Sequence, residues 1–142
     1  MPADSFIDTN LFIYQLDTSD ERKNSIADQI IRRAIKSRDA CISFQVVQEC
    51  LNTLVRKAEA PLPPADAKRY LETVLLPLWT IMPDPGLYQQ ALDLQSRYHY
   101  GFYDSLIIAA SLWAGCRTLY SEDLHNGQRI GKLTIRNPFL EN

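Results

Sequence analysis

Cysteine is scarce in this chain, and no apolar run is long enough to serve outside a globular core. Cys41, Cys50 and Cys116 form no C-x-x-C pair and are odd in number, which argues against a disulfide framework. Each lies among apolar neighbours, as a small core filler does. The two histidines, His99 and His125, have no second His or Cys at zinc-ligand spacing, so zinc is not expected. The longest apolar stretch, Leu106 to Ala114, falls far short of the roughly 20 residues that span a bilayer. Met1-Pro2-Ala3-Asp4 lacks the basic-then-apolar layout of a secretory signal. A cytoplasmic protein with no membrane partner is the expectation. Positive charge is not in excess either: 15 Lys and Arg face 17 Asp and Glu, for a net charge of −2. A protein that gripped nucleic acid by bulk charge would be strongly basic. Any such binding must rest on local patches, or on cations held over acidic groups.

What is present suits one compact domain over residues 1–142, with 46% hydrophobic residues to fill a core. Ser5-Phe6-Ile7 is a short apolar run ending at Asp8-Thr9-Asn10, where the period changes, so a buried strand feeds a helix there. Ile26, Ala27, Ile30, Ile31, Ala34 and Ile35 predict an amphipathic helix over 20–37, with Asp20 as its N-cap. Residues 40–43 predict a second strand, followed by a helix over 45–58 whose apolar face is Val46, Val47, Cys50, Leu51, Leu54 and Val55. Pro61, Pro63 and Pro64 make a loop. A helix over 65–76 should stop at Pro77, with Pro64 in its first turn. A third strand is expected over 78–81 and a helix over 86–98. The next helix, over 103–114, is apolar almost all round and therefore buried; Gly115 ends it. A fourth strand covers 118–121 and a short fifth 133–135. Strands alternating with helices predict an α/β fold, a mainly parallel sheet with helices on both faces.

In open parallel sheets a site forms beyond the carboxyl ends of the strands. Asp8 follows the first strand directly, Asp123 lies just past the fourth, Asp104 opens the buried helix, and Glu49 lies early in the helix after strand two. Four carboxylates can thus meet at one edge of the sheet. Gathering them is costly unless a hard cation compensates, and an oxygen-only set suits Mg²⁺, with Mn²⁺ as a substitute. Such a site can activate water and polarise a phosphoryl oxygen. Each residue has a plainer role as well. Asp8 and Asp104 could cap their helices, a helical wheel places Glu49 on a solvated face beside Gln45, Asn52 and Arg56, and Asp123 sits in a polar loop.

As a whole the pattern resembles the PIN-domain ribonucleases, in particular the VapC-type toxins of bacterial toxin–antitoxin pairs. Phe6-Ile7-Asp8-Thr9-Asn10 is similar to the family's opening strand and first acid. Ser43 to Glu49 is similar to the segment with the second, Tyr103-Asp104-Ser105-Leu106-Ile107 to the third, and Tyr120-Ser121-Glu122-Asp123-Leu124 to the fourth. The tail from Gly131 to Phe139 also matches that family's ending. The resemblance implies that Asp8, Glu49, Asp104 and Asp123 bind metal, with Glu122 able to share the role of Asp123, and that Thr9 and Ser121 support them. It implies metal-activated hydrolysis of single-stranded RNA to a 5′-phosphate and a 3′-hydroxyl, a homodimer, and a cognate antitoxin. Arg56, Arg129 and Lys132 are the expected RNA-backbone contacts.

Three other readings compete. A receiver-like phosphoacceptor signalling domain would want adjacent acids after strand one, where this chain has Thr9-Asn10 after Asp8. A haloacid-dehalogenase-like phosphatase would want a second acid where Asn10 stands. An inactive PIN fold could serve only as a binding module, though all four acids are present.

Overall fold

The computed structural model describes residues 3–57 and 61–140. Six strands form one sheet in the order β3-β2-β1-β4-β6-β5. They are β1 (Ser5–Ile7), β2 (Ala40–Ser43), β3 (Trp79–Ile81), β4 (Thr118–Tyr120), β5 (Arg129–Ile130) and β6 (Leu133–Arg136). All neighbours are parallel except the β5–β6 pair. Successive side chains in a strand point to opposite faces; Phe6 and Ile7 are both fully buried, and every residue of β2 is buried. The central strands are therefore covered on both sides. The order is not the 2-1-3-4-5 of receiver-type folds.

Helices α1 (Thr9–Leu16) and α2 (Glu21–Ser37) connect β1 to β2. Helix α3 (Phe44–Asn52) leaves β2 and passes into a π-helical turn, Thr53–Lys57. The end of the expected helix at Ala58 lies outside the described residues. Helix α4 (Pro64–Tyr70), a π-helical turn (Leu71–Leu75) and the short α5 (Leu76–Leu78) lead into β3. Pro77 does not stop this helix as the sequence suggests. It sits in α5 just after the wide π-helical turn, which makes room for a residue that has no N–H to give. Helices α6 (Pro85–Tyr98) and α7 (Phe102–Trp113) return the chain to β4.

The crossovers to β2 and β3 step one way across the sheet and the crossover to β4 steps back. Right-handed connections then place α1–α5 on one face and α6–α7 on the other, in keeping with α1 packing on α2 and α3 while α6 packs on α7. The reversal lies between β1 and β4. That is the switch point where open α/β sheets leave a crevice beyond the strand ends.

Two local differences bear on the site. Strand β5 escapes the sequence reading because it is only two residues long and sits between Gly127 and Gly131, both with positive φ. Helix α7 starts one residue early, with Gly101 as its N-cap and no side-chain cap bond, so Asp104 is not the cap.

Candidate active site

The switch point carries the acids. The Asp8 N–H donates to the Tyr120 carbonyl at 2.9 Å, extending the β1–β4 ladder by one bond. One carboxylate oxygen of Asp8 accepts from the Thr9 N–H (2.7 Å) and the other from the Ser121 hydroxyl (2.7 Å). Capping and site roles coexist in this residue, because its two oxygens face different partners. Ser121 is itself fully buried. The Thr9 hydroxyl, one residue into α1, donates to Glu49 Oε1 at 2.9 Å. Asp104 enters from the first turn of α7, and Asp123 from the loop after β4, where it accepts a bond from Asn10 Nδ2 at 3.1 Å. All four acids line one open cleft of about 390 Å³, with Ile13 and Ile107 as its apolar lining.

The electrostatics are those of like charges held together. Burial pushes the Asp8 carboxyl up to about 6; the Ser121 and Thr9 bonds oppose that shift, while Glu49 and Asp123 add to it. Glu49 is raised by its own burial, against hydrogen bonds from Thr9 and Gln45, with Asp104 and Asp123 repelling it. Asp104 is raised by burial and then by Asp123. Each acid is thus linked to the others by repulsion, only partly offset by the positive ends of α1 and α7 near Asp8 and Asp104.

The donor set fits a hard divalent cation. Among the described residues every charged side chain along the cleft is a carboxylate, and the cleft-lining amides of Asn10 and Gln45 each keep a buried carbonyl oxygen without a hydrogen bond. Oxygen ligands of this kind suit Mg²⁺ or Mn²⁺. Among the described residues no group of three His, Cys, Asp or Glu side chains is arranged to hold an ion as it stands.

Several sequence expectations change. Glu49 does not lie on a solvated face: the polar side of α3 turns to the cleft, where Gln45 is buried and Glu49 half-buried. Glu122 does not join Asp123. It points the other way, accepting bonds from the Tyr14 hydroxyl and the Lys23 ammonium. Arg56 is exposed in the π-helical turn, one helical turn past Asn52 and Thr53 of the cleft. Arg129 and Lys132 are not brought to the cleft. Arg129 pairs with Thr134, which pairs with the first residue of β4, and Lys132 precedes β6 at the amino edge. Arg129 is therefore roughly 10 Å down the sheet and two strands, about 10 Å, across from Ser121. Sequence reasoning missed Asn10, Gln45, Asn52 and Thr53 as cleft residues. The i, i+4 spacing of Gln45 to Glu49 was the available signal.

A model of the PIN domain matches residues 5–129. The chain belongs to the PIN-domain family. No curated protein matches it significantly. Among solved structures, the PIN domain here is similar to Mycobacterium tuberculosis VapC20, described as a sarcin-ricin loop cleaving toxin. The TM-score is 0.61 at 22% identity, covering 84% of this chain and 90% of that one. It is also similar to FitAcB from Neisseria gonorrhoeae, with a TM-score of 0.63 at 19% identity over 96% and 99% of the two chains. A structure of FitAB bound to a DNA fragment gives a TM-score of 0.65 at 18% identity, covering 97% of each. At these identities the likeness is one of fold. No helix among the described residues is long and apolar enough to cross a membrane.

Proposed function

We propose that this PIN domain is a Mg²⁺-dependent endoribonuclease that hydrolyses phosphodiester bonds of single-stranded RNA, with Asp8, Glu49, Asp104 and Asp123 as its metal-binding and catalytic residues. The observation that carries the reading is the convergence of four carboxylates, from four separate segments, on one cleft where Asp8, Glu49 and Asp104 are each raised by burial and by the charge of another of the acids. A fold tolerates such repulsion most readily where a cation relieves it.

Asp8, Glu49, Asp104 and Asp123 would hold a divalent cation, which would supply polarisation of a phosphoryl oxygen and activation of a water. The chain's own residues set the geometry. Ser121 and the Thr9 N–H fix the plane of Asp8, and the Thr9 hydroxyl fixes Glu49, so two ligands from different elements share one anchor at the start of α1. Asn10 positions Asp123, which the loop alone would leave free to turn. Ile13 and Ile107 keep part of the wall apolar, which strengthens every charge interaction inside. Arg56, exposed one helical turn past the cleft residues Asn52 and Thr53, would meet RNA backbone beyond the cleft.

The same reading makes the protein the toxin of a type II toxin–antitoxin pair, a homodimer with a cognate antitoxin. Its support is the PIN fold shared with VapC20 and with the FitAB complex. Cleavage of a single-stranded oligoribonucleotide should require Mg²⁺ or Mn²⁺ and stop in EDTA, with 5′-phosphate and 3′-hydroxyl ends on the products. Full activity in EDTA without added metal would rule out the mechanism. Growth arrest on expression, relieved by a small neighbouring gene product, tests the toxin assignment separately.

A further inference from the structure

We infer that Tyr103, whose backbone adjoins the acidic cleft and whose ring is exposed, is a substrate-positioning residue, the ring stacking against a nucleobase of single-stranded RNA. The inference rests on the nuclease reading above and adds how the strand is held. The difficulty it resolves is electrostatic. None of the described side chains lining the cleft is basic, and the acids there repel phosphates. The backbone charge that dominates most nucleic-acid binding therefore gains little from the protein at this place. Affinity close to the reacting bond must come from the cation and from neutral contacts. Bases offer a π-face to aromatic rings whatever their sequence.

Tyr103 is built for that contact. Its side chain is 69% exposed, the highest value among the exposed large apolar and aromatic residues described. It directly precedes Asp104. Its carbonyl accepts a bond from Gln45 Nε2 at 3.1 Å, and Gln45 also donates to Glu49, so Tyr103 and two of the acids are tied to one frame. The ring is braced from one side only: Phe102 meets it edge-on at 5.5 Å, Phe102 stacks on Tyr88, and Tyr88 meets the buried Phe44. The Phe102 edge restricts part of the ring's rotation before a base lands on its open side.

The test uses the full chain and a single-stranded oligoribonucleotide carrying 2-aminopurine, whose fluorescence is quenched on stacking. Binding is measured in Ca²⁺, with a gel reporting whether the strand is intact, and cleavage is measured in Mg²⁺. Tyr103→Ala should weaken binding by about 5- to 150-fold, the range of one lost base–aromatic stack, and relieve the quench. KM should rise in step with kcat little changed. Tyr103→Phe should restore both, since the hydroxyl is not needed. The slope of log affinity against log salt should be the same in all three proteins, because stacking releases no counterions. Equal KM and equal quench in wild type and Tyr103→Ala would overturn the inference while leaving the nuclease intact. Quenched, Tyr103-dependent binding without cleavage in Mg²⁺ would sink the nuclease reading and keep the stacking site. No binding by the wild-type protein overturns the stacking site. If sedimentation shows Tyr103→Ala to be a smaller species whose affinity returns at high protein concentration, the ring belongs to a contact between copies and the inference fails.

Discussion

Glu122 and Asp123 are neighbours in sequence, carry the same charge and leave the same strand, yet they enter opposite electrostatic worlds. Glu122 turns to an ammonium and a phenol: Lys23 pairs with it, Tyr14 donates to it at 2.7 Å, and the Lys23 charge also lies over the rings of Tyr14 and Phe139. Asp123 turns to Asp8, Glu49 and Asp104, with one amide of Asn10 for company. The first acid is matched where it stands and helps bind α1 and α2 to the end of the sheet. The second lies among other acids, with the Asn10 amide as its hydrogen-bond donor. Within two residues, then, the chain separates an acid that holds the fold from one that works at its expense.

The sharpest way to break this contrast is to neutralise the unmatched acids. Asp104→Asn should lower cleavage by more than about a hundredfold, beyond the 10- to 100-fold typical of residues that only orient a metal ligand. Near-normal cleavage by that variant would refute a metal role. Its metal-free fold should be no less stable than wild type in urea denaturation, because one source of repulsion is gone and Asp104 caps nothing.

Next in size is a pH effect. Asp8 binds a proton more readily folded than unfolded, at about 6 against its usual 3.8. Between those values the native state holds the extra proton, so metal-free stability falls as pH rises through this window. The loss from Asp8 is on the order of 3 kcal/mol, and it is complete somewhat above pH 6. Urea midpoints in EDTA at pH 5, 6 and 7 should therefore fall as pH rises, and Asp8→Asn should flatten the trend. Saturating Mg²⁺ should also flatten it in the wild type, since cation and proton compete for one carboxylate. A wild-type midpoint that rises from pH 5 to 7 would contradict the burial argument.

The smallest effect belongs to the matched acid. Glu122→Gln should leave cleavage within about twofold of wild type, an acid outside the metal set lacking the transition-state role whose loss costs more, and should lower the melting temperature by a few degrees. Lost cleavage with an unchanged melting temperature would mean that Glu122, and not only Asp123, serves the ion.

Much of this arrangement is legible in the sequence because it depends on local signals. Strands at 5–7 and 40–43 and the Asp20 cap are short-range features, and the structure has them at those residues. Asp8 and Asp123 could be placed at strand ends because parallel sheets collect functional residues there. What stays hidden depends on which way a side chain turns. A helical wheel sees Gln45 and Glu49 as polar and therefore outward. It cannot know that α7 arrives opposite them, so that Gln45 meets the Tyr103 carbonyl. The separation of Glu122 from Asp123 likewise rests on Lys23, 99 positions away. Arg129 and Lys132 look near the fourth acid in sequence, but the β5–β6 hairpin carries them to the amino edge.

The bond from Ser121 to Asp8 spans 113 positions, and β1 acquires its β4 partner only from the last quarter of the chain. During synthesis β1, β2 and most of the helices can emerge and fold while one side of β1 has no neighbour and Asp8 no buried hydroxyl to hold it. The order of strands therefore leaves Asp8 without its Ser121 partner until β4 has been made.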